Sequence, residues 1–207
     1  MAVIRDMMPA FELFQPASID EALTLLDAHK ADVWVLGGGM DSFDWLKDRN
    51  KRPSVVVDLS GVQELRGIKT SSDGSLEIGA TTPLIDVIDN QTVKDKYRIL
   101  AQAAELVASP QIRNQGTLGG NLCTAVPSVD SGPTLVALDA VVTLLSPSGS
   151  RQLPLADFFV GPRKTALKTD ELLVEVLIPK TSLGKPTKFH KFGLRKGQAL
   201  ADRKSTH

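Results

Sequence analysis

The sequence is poor in the residues that build cross-links and metal centres. Cys123 is the only cysteine among 207 residues. No disulfide can form within the chain, and the usual four-thiolate ligation of an iron–sulfur cluster is excluded. A lone thiol suits a reducing compartment. The three histidines, His29, His190 and His207, are scattered, and no His/Cys/Asp grouping has metal-ligand spacing. No serine or cysteine stands in a nucleophile-elbow sequence. Net charge is missing too. Lys and Arg number 24, as do Asp and Glu, so nothing draws the chain electrostatically to nucleic acid or an anionic membrane. No apolar run approaches the roughly 20 residues of a membrane span, and Met1 to Met8 lacks the apolar core of a signal peptide. The expectation is a cytoplasmic protein, with no nucleic-acid partner and no membrane insertion.

What is present reads as an ordinary soluble fold, 42% hydrophobic and 23% charged, long enough for one large domain or two smaller ones. Ser18-Ile19-Asp20-Glu21 forms a capping box, and Ala22, Leu23, Leu25 and Leu26 supply the apolar face of a helix ending near His29-Lys30. A buried strand at 33–36 runs into Gly37-Gly38-Gly39 and then a helical turn over 43–49. A second buried strand is expected at 55–57. Residues 65–68 and 76–78 read as a hairpin around Asp73-Gly74. Pro83 sits early in a helix reaching Ile88, and a further helix covers 97–107, closed by Ser109-Pro110. Strands follow at 141–145, 172–178 and 188–194, with a Pro147-Ser148-Gly149 turn. The last seven residues are polar and aperiodic. Interleaved strands and helices without repeats predict an α+β or mixed α/β fold.

Two glycine-rich segments carry chemistry. Glycines after a buried strand, as at Gly37-Gly38-Gly39, let backbone amides approach an anion; a tight turn is the competing use. Gly116-Thr117-Leu118-Gly119-Gly120-Asn121 adds hydroxyl and amide donors, with Thr124 following. Two separated amide-rich loops could clamp a pyrophosphate. Neither matches a dinucleotide or Walker motif. Asp130, between Pro127 and Pro133, either accepts from ligand hydroxyls or caps the helix starting near Pro133. Arg113 reads as structural, Cys123 as a small buried residue, and the basic stretch 189–195 as a solvated strand edge.

Residues 109–121, continuing through Pro127-Ser128-Val129-Asp130 and Leu135 to Ala140, closely resemble the FAD-binding medium subunit of molybdenum hydroxylases, the xanthine dehydrogenase and carbon monoxide dehydrogenase flavoprotein family. Leu36-Gly37-Gly38-Gly39-Met40-Asp41, Val57-Asp58-Leu59, Ile78 to Thr82 and Lys191 to Lys196 agree in the expected order. The resemblance implies a two-lobed FAD-binding fold of the vanillyl-alcohol oxidase type, with lobes at 1–60 and 61–180 and a C-terminal domain beginning at 181–207. It implies that Leu36, Gly37, Gly38, Gly39, Met40 and Asp41 face Thr117, Gly119, Gly120 and Asn121 across the pyrophosphate. Thr124 and Asp130 would touch the ribityl or phosphate region, and Val107 would lie near the isoalloxazine.

The implied role is to take electrons from an iron–sulfur subunit, supplied by a molybdopterin-binding subunit, and to pass them to NAD+ or another acceptor. Met40 stands where the family often has a hydroxyl residue, and a cluster-bearing cysteine insertion found in some relatives is absent. The family's C-terminal domain runs well past Arg195, so a shortened product with a more exposed flavin is expected. A stand-alone flavin reductase of the same fold is the alternative enzyme, and a cofactor-free remnant the non-enzymatic one.

Overall fold

A computed structural model describes residues 8–193. The chain opens with β1 (Glu12–Phe14), α1 (Ile19–His29), β2 (Val33–Leu36), α2 (Met40–Lys47) and β3 (Val55–Asp58). Ser18 starts α1 as its sequence predicts: the hydroxyl accepts from Glu21 N at 3.2 Å, and the Glu21 carboxylate accepts from Ala17 N at 2.8 Å. The three strands pair in parallel in the order β1-β3-β2. Val55, Val56 and Val57 in the central strand are all buried, as a continuous β-branched run predicts for a strand covered on both faces.

The second sheet is antiparallel. β4 (Ile68–Thr70) and β5 (Leu76–Gly79) precede a run of short helices: α3 (Leu84–Asp89), α4 (Gln91–Lys96), α5 (Arg98–Glu105), α6 (Pro110–Gln115), α7 (Leu118–Thr124) and α8 (Ser131–Ala137). Then come β6 (Val141–Ser146), β7 (Gly149–Pro154), α9 (Leu155–Phe158), the small hairpin β8 (Phe159–Gly161) and β9 (Lys164–Thr165), and β10 (Leu172–Ile178). Five strands join in the order β4-β5-β10-β6-β7. The helices bury Leu84, Leu100, Leu118, Leu122 and Leu135 against Ile78, Val142 and Val176 of this sheet. Each fully buried leucine contributes about 1.5–3 kcal/mol. A second cluster unites Leu23, Leu26 and Val57 with Leu65 and Leu172, so apolar contact joins the two sheets and fixes the groove between them.

Several boundaries differ from those the sequence suggests. Leu65 closes a 3-10 turn (Gln63–Leu65) and is wholly buried; the strand begins at Ile68. Helix α2 starts at Met40 rather than Phe43, so Met40 and Asp41 lie in its first turn. Helix α5 ends at Glu105, because Leu106 N and Val107 N bond three residues back, to Ala103 O and Ala104 O, tightening the last turn. Ser109-Pro110 opens a helix instead of only ending one: the Ser109 hydroxyl accepts from Ile112 N, with proline at N1. Residues 188–192 form no strand, Gly193 makes an isolated bridge, and Leu194 lies outside the described residues. The readings of the first residues and of the polar tail fall outside them too.

Candidate cofactor cleft

The expected Gly116–Asn121 loop is the start of a helix. Thr117 is the N-cap of α7, its Oγ1 accepting from Gly120 N at 3.1 Å. The neighbouring amides are also consumed: Leu118 N donates to Thr82 O, Gly119 N to Ala80 O and Asn121 N to Thr117 O. The amides of Leu118 and Gly119 therefore tie α7 to the turn between β5 and α3, and those of Gly120 and Asn121 close its first turn on Thr117. They do not form an anion cradle. Gly119 serves the same packing, since a Cβ there would lie 2.7 Å from Ala80 O and 2.8 Å from Ala80 Cβ.

The first glycine segment is the one with amides to offer. Gly39 adopts φ +77°, a left-handed conformation suited to glycine, and turns the chain from β2 into α2. Helix α2 has no side-chain cap. Among the described residues, the amides of Gly38, Gly39, Met40, Asp41 and Ser42 have no protein acceptor. Unpaired amides at a helix start favour an anion.

The two segments touch. A Cβ on Gly38 would stand 1.9 Å from Gln115 O, and one on Gly37 2.9 Å from Thr117 Oγ1. The Thr117 hydroxyl thus sits between Gly37 and Gly120, whose own Cβ would come 2.7 Å from it. Beside this contact opens a cleft of about 730 Å³, within the range of roughly 300–1,000 Å³ for cofactor sites. It is lined by Gly37, Gly38, Gly39, Met40, Asp41, Val107, Thr117, Gly120, Asn121, Thr124 and Asp130. Leu36 and Gly119 do not line it. Both are buried behind its wall, Leu36 as the last residue of β2.

Asp130 occupies the N-cap position of α8 yet makes no cap hydrogen bond. Its Oδ2 instead accepts from Lys191 Nζ at 2.6 Å, and both side chains are about nine-tenths buried. The Lys191 ammonium also donates to Leu106 O at 2.9 Å. Burial raises the Asp130 carboxyl above the ordinary carboxylate range, and the Lys191 ammonium opposes that rise. Lys191, which also lines the cleft, escaped sequence reasoning because 61 residues separate it from Asp130. Only its place in the Lys191–Lys196 stretch signalled it.

Arg113 is structural, as expected. Its Nη1 donates to Val107 O at 2.9 Å, so a cation holds each of the adjacent carbonyls of Leu106 and Val107. Asn121 is oriented by Ser131, whose hydroxyl donates to Asn121 Oδ1 at 2.5 Å. Both tryptophans line the cleft, Trp34 donating to Ser42 Oγ and meeting Trp45 edge-on. Desolvation chiefly, and then the Asp44 charge, raise the Asp41 carboxyl. Burial pushes the thiol of Cys123, which is half-buried in the cleft wall, up to about 12, which keeps it protonated at neutral pH. At the far end Arg151 clamps buried Glu171 through two hydrogen bonds of 2.7 and 2.8 Å, holding that carboxyl below its usual range.

Residues 9–181 match the family described as the FAD binding domain in molybdopterin dehydrogenase. The chain is 37% identical to the nicotinate dehydrogenase FAD-subunit of Eubacterium barkeri, over 94% of this chain and 67% of that protein. It is 34% identical to the carbon monoxide dehydrogenase medium chain of Hydrogenophaga pseudoflava, over 91% of this chain and 66% of that one. A solved structure of carbon monoxide dehydrogenase from the same organism superposes with a TM-score of 0.89 at 34% identity, covering 94% of this chain and 67% of that chain. Quinoline 2-oxidoreductase from Pseudomonas putida 86 superposes with a TM-score of 0.86 at 31% identity, with the same coverage. The chain spans about two thirds of the length of these relatives. With an α+β fold, the paired glycine segments and a match over nearly all of its described length, the chain belongs to the FAD-binding domain family of molybdopterin dehydrogenases.

Proposed function

We propose that the cleft holds FAD and that the chain is the flavin-bearing electron-transfer part of a molybdopterin-dependent dehydrogenase. The observation that carries this is the contact between the two glycine segments at the cleft, with five unpaired amides on one side and Thr117, Gly120 and Asn121 on the other. The amides of Gly38 to Asp41, at the positive end of α2, would hold the pyrophosphate. Gly120 leaves room for it, and Thr117 and Asn121 would donate to its oxygens. Thr124, whose hydroxyl donates to Asn121 O, would line the ribityl or phosphate region. Asp130 and Lys191 would hold the ribityl end, with Val107 forming the wall beside the ring. When bound, FAD supplies the redox chemistry. The chain orients it and shields it from water.

Residues 1–60 and 61–180 would form the two lobes around it, and 181–207 the start of a further domain. The partners we infer are a molybdopterin-binding large subunit and an iron–sulfur small subunit, with NAD+ or another molecule as electron acceptor. Among the described residues no helix is long and apolar enough to cross a membrane, and we place the assembly in the cytoplasm.

The visible spectrum tests the reading. The purified chain is expected to carry yellow, non-covalent FAD, or to take it up when added. A colourless protein that binds no added FAD would sink the proposal. Both tryptophans lie in the cleft wall, so titration with FAD is expected to quench their emission strongly and saturably. Emission that fails to fall as FAD saturates would place the cofactor elsewhere.

Lys191→Met leaves Asp130 buried without its cation. The loss is expected to be about 1–3 kcal/mol of stability near neutral pH. Asp130 already titrates high, and without Lys191 it titrates higher. A group with a raised folded pKa favours the folded state below its unfolded value and loses that support as pH rises through the folded one. The variant should therefore lie nearest wild type in acid and furthest from it near neutral pH. Melting curves across that range check it, and a deficit constant with pH would contradict it.

A further inference from the structure

A second concavity lies away from the cofactor cleft, where the N-terminus of α5 meets the chain after β10; its volume is about 520 Å³. Lys96, Tyr97, Arg98, Lys185 and Lys188 line its polar side. Lys185 pairs with Asp139. Among the described residues, Lys96, Arg98 and Lys188 are exposed and have no carboxylate partner. Asp95, on the same rim, is an acceptor for the Gln91 amide at 2.8 Å. The local balance is positive in a chain whose overall charge is zero.

Helix α5 begins at this point with eight residues and no side-chain cap. The amides of Arg98 and Ile99 donate to no acceptor among the described residues, since the bonds around Tyr97 run from Tyr97 N to Val93 O and from Leu100 N to Tyr97 O. The carbonyl end of α4 abuts the same point and weakens the helix field. The cations must then supply the rest of the attraction.

Tyr97 is the second and independent feature. Its side chain lines the concavity while only 2% of the residue is exposed. Its phenol oxygen makes no hydrogen bond to the described residues and is open to solvent from the concavity, while the ring is buried. Burial raises its pKa, so it stays a donor at neutral pH. Beside it, Ile99, Leu138 and Phe189 give the concavity an apolar wall.

We propose that this concavity binds a phosphate group, with the Tyr97 hydroxyl, the Arg98 guanidinium and the α5 amides donating to its oxygens and Lys96 and Lys188 balancing its charge. The volume exceeds what a bare ion fills, and the apolar wall suits the organic part of a phosphate monoester. The site is separate from the FAD cleft, shares no lining residue with it, and does not depend on the cleft being occupied.

Phosphorus-31 NMR titration of the whole chain, using inorganic phosphate and phenyl phosphate as probes at constant ionic strength, tests this. Saturable broadening is expected for both. Tighter binding of phenyl phosphate would identify a monoester as the occupant, and equal binding would identify the bare ion; either supports a phosphate site. Tyr97→Phe keeps the ring in the core and deletes only the hydroxyl, and should weaken binding roughly tenfold or more, as for a hydrogen bond to a charged group. Arg98→Gln, at an exposed position that leaves the fold intact, should do the same. FAD uptake should be unchanged in both variants. No saturable binding, or equal binding by wild type and both variants, would overturn the proposal while leaving the FAD reading untouched.

Discussion

Gly120→Val is expected to empty the cofactor cleft while leaving the protein folded. Beyond the helix's own backbone, a Cβ there would meet one atom within 4 Å, Thr117 Oγ1 at 2.7 Å, at a position that lines the cleft. Two small effects on stability oppose each other and leave a net cost under about 1 kcal/mol. Displacing the Thr117 hydroxyl costs about 1 kcal/mol of helix capping, and replacing glycine by valine within a helix returns a few tenths of that or more. Binding has no such compensation. Inserting methyl groups where a ligand must lie costs about 1–3 kcal/mol, roughly tenfold to a hundredfold in FAD affinity. The expected result is a protein with near-wild-type circular dichroism and melting that purifies with little or no flavin. Retention of FAD at wild-type affinity would show that Gly120 does not border the cofactor.

The sequence made one half of this cleft legible and misread the other. A buried β-branched strand followed by three glycines has few uses, and β2 with Gly37 to Gly39 appears where its pattern places it. Val55 to Val57 and the strand 172–178 were equally plain, because short apolar, β-branched runs read as strands without strict alternation. Gly116 to Asn121 looked like a loop because glycine is a poor helix former. The N-cap signal of Thr117 was nevertheless there, and tertiary bonds to Ala80 and Thr82 overrode propensity.

β7 went unseen because an edge strand reading Gly-Ser-Arg-Gln-Leu-Pro carries almost no apolar signal. Asp130 was left between two uses, ligand acceptor and helix cap. The structure rules out the cap and adds a partner, Lys191, that no local pattern names. Contacts across long sequence separations, such as Gly38 against Gln115, are set by how the two sheets pack through Leu65 and Leu172. Residue spacing carries no record of them.

That contact gives the second large prediction. Gly38→Ala adds a single methyl group, yet the Cβ would lie 1.9 Å from Gln115 O, 2.7 Å from Gln115 C and 2.8 Å from Gly116 Cα. All three atoms are backbone, so no side-chain rotation relieves the clash. The two glycine segments must move apart, and α6 or the turn before α2 must move with them. Overpacking of this kind costs about 3 kcal/mol, at the upper end of its usual range, or roughly 6–12 °C in Tm for a chain of this size.

The neighbouring position is the control. Gly39→Ala meets only the ring of Phe43, 2.7 Å from the Cβ, and that side chain is exposed enough to swing away. What remains is the strain of alanine at φ +77°, about 1–2 kcal/mol. Gly38→Ala should therefore melt well below Gly39→Ala, and should lose FAD affinity as well, because the unpaired amides of 38–42 and the Thr117 side of the cleft would no longer face each other at the same separation. Added FAD should raise the Tm of Gly39→Ala more than that of Gly38→Ala, by mass action on the better-formed site. If both variants melt together and bind FAD alike, the cleft is not built on the contact between its two glycine segments.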